Sequence, residues 1–180
     1  MKELLIKLNA CNEAREWASN KSIDEIWATC HRGDWMLWLA RKLNIDKRVL
    51  TLAKGHCANT VRHLMKDERS IAAVDMAIKY GEGNATDSEL AAAADAAYDA
   101  TADAYDAAAD DAYAADYAAA AAAAYATAAY AAAAAYAADA AAYAAAARKQ
   151  SQQATAEICR KYIPLDLILS GIKSQEKQKA

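Results

Sequence analysis

The chain has little proline and little glycine, with one Pro and five Gly in 180 residues. Such sparse punctuation excludes a collagen-like repeat and argues against an all-β chain, which would need many turns. There is no glycine-rich phosphate loop, so nothing points to a nucleotide-binding α/β fold. Runs of β-branched residues are too few for a buried sheet. The four cysteines, Cys11, Cys30, Cys57 and Cys159, are widely spaced and form no C-x-x-C pair. The opening MKELLIKLNA lacks the apolar core and cleavage site of a signal peptide. These features predict a cytoplasmic protein with reduced thiols. The span 117–138 carries no charge and has the length of a membrane crossing. It is mostly alanine with several tyrosines, and alanine is only borderline apolar for insertion, so no membrane partner is expected.

What is present is unevenly distributed. Apolar residues make up 56% of the chain, yet the 57 residues 91–147 use only four amino acids: 39 Ala, 8 Tyr, 8 Asp and 2 Thr. Alanine buries little area, so this stretch contributes less hydrophobic stabilisation per residue than leucine or isoleucine would. All four Trp lie in the first 40 residues. The candidate core is therefore the Trp, Leu, Ile and Met of the first 80 residues plus the short apolar patch 165–169. Charge is divided the same way. The formal net charge is −3, but 91–147 carries −8 and the remainder +5. An acidic face on a basic body fits a basic partner, such as a nuclease or a nucleic-acid-binding protein.

The pattern predicts an all-α fold in which short N-terminal helices pack on a long Ala/Tyr/Asp-rich helix or helical hairpin. Apolar residues at helical spacing (Leu4, Leu5, Leu8, Cys11, Ala14, Trp17, Ala18) predict a helix over 2–19. Ser22 and Glu25 form a capping box for the next helix, which should stop at Gly33 as a left-handed C-terminal residue. Asp34 then caps a helix over 35–43, and Asp46 caps one from 47 to about 64, with Gly55 inside it. There Gly costs about 1 kcal/mol relative to Ala, which suggests either close helix approach or a break. Ser70 starts a fifth helix that ends before the turn Gly81-Glu82-Gly83-Asn84. Thr86 and Glu89 form a second capping box. From 88 to 162 there is no Gly or Pro. One straight helix of about 75 residues would be roughly 110 Å long, so a fold-back is expected near Asp110-Asp111 or Thr127. The expected organisation is one helical domain over 1–172, Trp-rich over 1–84 and Ala-rich over 85–172, with a disordered tail over 173–180.

Two groups of residues are candidates for function. Asp95, Asp99, Asp103, Asp106 and Asp110 recur at steps of four, four, three and four, which places five carboxylates on one stripe of a helix. Like charges at this spacing repel, so a basic partner or the protein's own basic body should offset them. Tyr98 and Tyr105 share a face beside the stripe, and tyrosine is favoured at interfaces. The second group is Arg32, Asp34 and Trp35, where the two charges can pair and the ring offers a ligand surface. The surrounding Trp27, Trp35 and Trp38 are expected to be core. The adjacent pairs Cys30-His31 and His56-Cys57 lack zinc-site spacing, and no metal or cofactor is expected. A Cys–His nucleophile would need a third group and an oxyanion loop, and neither is identifiable, so no catalytic residue is assigned. Threonine shows no eleven-residue period, which argues against an ice-binding surface.

The run CNEAREWASNKSIDEIWATCHRGDWMLWLARKL resembles the opening of a family of immunity proteins found in bacteria and sometimes in phages. Its W-x-x-C-x-R-G-D-W-M-x-W-L pattern falls on Trp27, Cys30, Arg32, Gly33, Asp34, Trp35, Met36, Trp38 and Leu39. A Cys- and Ala-bearing segment (LTLAKGHCANTVRHL), an Ala/Tyr-rich stretch and a closing CRKYIP (Cys159 to Pro164) follow in the family's order, so the resemblance spans residues 8–168. Asp and Tyr stand here where relatives often mix in Arg and Glu. The resemblance implies a non-enzymatic immunity or inhibitor protein that binds and neutralises a protein toxin. The alternative is a phage counter-defence protein, either a DNA mimic or a sponge for a nucleotide signal held by Arg32, Arg41, Arg48 and Arg62 among aromatics. Self-association is a third expectation.

Overall fold

The computed structural model describes residues 1–65, 67–106 and 145–177. Among them the chain is all-α, with no strand. The helices are α1 (Lys2–Lys7), α2 (Asn12–Trp17), α3 (Ile23–Thr29), α4 (Gly33–Lys42), α5 (Lys47–Asn59), α6 (Glu68–Gly81), α7 (Asp87–Asp106), α8 (Ala145–Tyr162) and α9 (Leu165–Lys177), with a single 3-10 turn at Arg62–Leu64. The expected fold-back near Asp110-Asp111 or Thr127 and the uncharged span 117–138 lie outside the described residues. No described helix is long and apolar enough to cross a membrane.

Local chemistry sets the helix starts. Ser22 accepts from the backbone N–H of Glu25 at 3.2 Å while Glu25 accepts from that of Ser22 at 2.7 Å, the reciprocal box that begins α3. Thr86 and Glu89 repeat it before α7 at 3.2 and 2.7 Å. Asp46 caps α5 by accepting from Arg48 and Val49.

Several boundaries differ from the sequence expectation. The helix expected over 2–19 is two helices, because Asn9 takes a left-handed conformation (φ 60°) between α1 and α2. Gly33 does not end α3. It opens α4, after Cys30 has left α3 in extended backbone. A Cβ on Gly33 would lie 2.6 Å from Thr155 Cβ and 2.7 Å from the Thr155 carbonyl carbon, so glycine is there to let α8 approach α4. Asp34 sits in the first turn of α4 rather than at its cap. Gly55 plays the close-approach role between α5 and α6, 3.0 Å from Ile78 at its hypothetical Cβ. The fifth helix starts at Asp67, which caps it, and Ser70 is fully buried one turn inside. The C-terminal segment is helical through Lys177, so helix replaces disorder over 173–177.

Packing follows from these close approaches. Helix α8 lies on α4 and α5, α5 on α6, and α6 on α7. The main core gathers Leu5, Leu37, Leu39 and Leu50 from the N-terminal helices with Cys159, Ile163 and Ile168 from the C-terminal ones. Arg160 locks α8 to α3 by donating to the carbonyls of Cys30 at 2.8 Å and Trp27 at 3.4 Å, which satisfies the open carbonyl end of α3. The seam between α6 and α7 has a stretch different in kind, built from Ala73, Ala94 and Ala97, next to a second cluster that includes Tyr80 and Leu90.

Candidate functional site

Helix α7 has two unlike faces. Leu90, Ala94, Ala97 and Ala100 recur every three or four residues and are buried. Asp95, Tyr98 and Asp99 stand on the other side and are exposed, Tyr98 to 61%. Asp103, Tyr105 and Asp106 continue the same helix at register positions that extend the stripe. Asp110 lies outside the described residues. Asp95 and Asp99 make no ion pair among the described residues. Among the described residues, no basic side chain of the body pairs with this part of the stripe. At the helix start the opposite holds. Asp87 takes Lys47 as a partner and accepts from the Tyr80 hydroxyl at 3.0 Å, and the Lys47 hydrogen bond holds its carboxyl below the ordinary range.

Arg32, Asp34 and Trp35 come together at the start of α4. The guanidinium of Arg32 donates to both oxygens of Asp34, at 2.8 and 2.5 Å, lies 4.6 Å from the centre of the Trp35 ring and comes within 3.6 Å of Glu13. The other arginines do not join it. Arg48 donates to the carbonyls of Tyr80 and Ala85, Arg62 forks onto Asp75, and none of Arg41, Arg48 and Arg62 lines the cavity beside Trp35.

That cavity has a volume of about 270 Å³, and Trp17, Trp27, Trp35 and Trp38, all the tryptophans of the chain, line it with Asp34 and Cys11. The cluster is thus only partly core. Trp27 is buried, whereas Trp17, Trp35 and Trp38 are half-buried wall residues. Trp17 tilts against Trp35 at 6.0 Å and meets His31 edge-on at 6.2 Å. Wall and core positions share one hydrophobic spacing, so periodicity alone could not separate them.

Cys30, Cys57 and Cys159 are free, buried thiols, and Cys11 is free and exposed. The neighbouring Cys57 and burial push the Cys159 thiol well up, and burial does the same to Cys30, which keeps both protonated and unreactive. His56 stacks on Tyr162 at 4.2 Å, away from its sequence neighbour's role in the core. Among the described residues no group of three His, Cys, Asp or Glu is arranged to hold a metal ion.

Two polar residues with roles inside the fold, one buried and one half-buried, escaped the sequence reading. Lys54 is fully buried in α5, and burial, then Arg41, lowers its ammonium to about 8. The signal was available: Leu50, Lys54, Cys57 and Ala58 share the spacing of one helix face, so the period itself puts Lys54 inside. Arg160, by contrast, had no local signal, since its partners lie about 130 residues earlier.

Compared with protein-family models, with curated proteins and with solved structures, the chain matches none.

Proposed function

We propose that the chain is a non-enzymatic immunity or inhibitor protein that binds and neutralises a basic protein toxin in the cytoplasm through the outer face of α7. One observation carries this reading: Asp95, Tyr98 and Asp99 are exposed, and the two carboxylates have no ion-pair partner among the described residues, on a helix whose other face is buried. Two like charges one turn apart repel, by a few tenths of a kcal/mol, and a cationic partner removes that repulsion on binding. Complementary charge also speeds encounter, and Tyr98 supplies the large, stiff ring that anchors an interface. The alanine face behind it sets the stripe on a close-packed support.

The test is protection in cells. If a toxic protein is encoded beside this chain's gene, cells producing it should survive when the chain is co-produced. The double variant Asp95→Asn, Asp99→Asn should fold normally by circular dichroism and lose protection, with complex formation in vitro weakening as salt rises. Full protection by the double variant would remove α7 as the binding surface.

A further inference from the structure

We propose that the cavity walled by the four tryptophans is a binding site for a small planar aromatic molecule that carries no positive charge. The space is a partly open pocket of about 270 Å³, close to the lower end of small-molecule pockets, near 300 Å³. Its lining is mostly apolar, and the large indole rings meet around the space instead of filling it. Flat ring walls favour a flat aromatic occupant, which stacks offset or edge-on against them.

Charge narrows the class. Asp34 is the one ionisable carboxylate in the lining, and both of its oxygens already accept from Arg32. An incoming cation would find no open counter-ion there, and burying a charge without one is costly. Positive groups that are not part of the lining also stand close to three of the rings: Lys21 is 4.1 Å from the Trp17 ring centre, Arg32 4.6 Å from that of Trp35 and Lys42 5.9 Å from that of Trp38. A cationic ligand would be repelled by these nearby charges. Neutral or acidic aromatics meet neither obstacle. The site shares no lining residue with the outer face of α7, so it stands apart from the toxin-binding reading.

The experiment uses the full chain and three probes of one shape: naphthol (neutral), naphthoate (anion) and naphthylmethylamine (cation). Two readouts report on the cavity. All four indole N–H signals in the NMR spectrum belong to its walls, and Cys11 is the exposed thiol at its edge, whose alkylation by iodoacetamide should slow when the cavity is filled. Naphthol and naphthoate are expected to shift the indole signals and protect Cys11, with the amine weaker by about tenfold or more. Ala14→Leu, which places a larger side chain in the lining on α2, should leave helicity and melting temperature unchanged and abolish both effects. The proposal is overturned if no probe acts at millimolar concentration, if the amine binds as well as the others, or if a folded Ala14→Leu protein binds like the parent chain.

Discussion

The Trp-lined end of the molecule and the α6–α7 seam solve the same packing problem by opposite means. Around α1 to α4, large rings remove much apolar area from water but leave a cavity of about 270 Å³ between them. Between α6 and α7, Ala73, Ala94 and Ala97 bury little area each, yet small side chains let two helices close directly on one another. Area and fit are thus separable quantities. The first region gains hydrophobic stabilisation and leaves a partly open pocket. The second gains a close-packed base for the charged face of α7.

Four substitutions break or sharpen that contrast. The largest effect is expected for Trp27→Ala, since Trp27 is the buried ring of the four, and the loss should be about 3–5 kcal/mol in urea unfolding. A loss near that of an exposed residue would mean that the ring cluster is not a main source of stability. Next comes a matched pair of enlargements. Ala73→Leu in the closed seam should cost about 1–3 kcal/mol, whereas Ala14→Leu beside the cavity should stay within about 0.5 kcal/mol. Equal costs would erase the difference between the regions. A further effect, read against pH, concerns Lys54, buried in α5. Its ammonium lies at about 8 in the fold against 10.5 ordinarily. Between those values the unfolded chain holds more protons than the folded one, so stability rises as pH rises through that window. Below about pH 8 both states are charged and the full burial cost remains. Lys54→Met should flatten this rise in melting temperature between pH 8 and 10.5.

Much of the helical layout was legible because it is local. The boxes at Ser22/Glu25 and Thr86/Glu89 and the cap at Asp46 use partners two or three residues away. The exposure of Asp95, Tyr98 and Asp99 agrees with a stripe read from spacing alone. The failures involve distant partners or a competing local state. Gly33 looks like a helix stop by composition, but its reason is Thr155. Asn9 breaks an unbroken apolar period because a left-handed asparagine is permitted anywhere in it. The expectation that the Trp run is core holds for Trp27, with Trp35 and Trp38 packed against that core; the pocket they also wall has no signal in hydrophobicity, which reports a preference for burial and not whether neighbouring rings meet or enclose space.

The docking of Gly33 on α8 also has a consequence in time. Cys159 donates to the Gly33 carbonyl across 126 positions of sequence, and Arg160 reaches Cys30 across 130. During synthesis at about 5–20 residues per second, α4 is complete roughly 6–25 s before its covering helix is made. The bare face of α4 must therefore wait in an open state, shielded only by its nearer neighbours. The narrow backbone contact at Gly33 can be made only after that interval, by a segment from the other end of the chain.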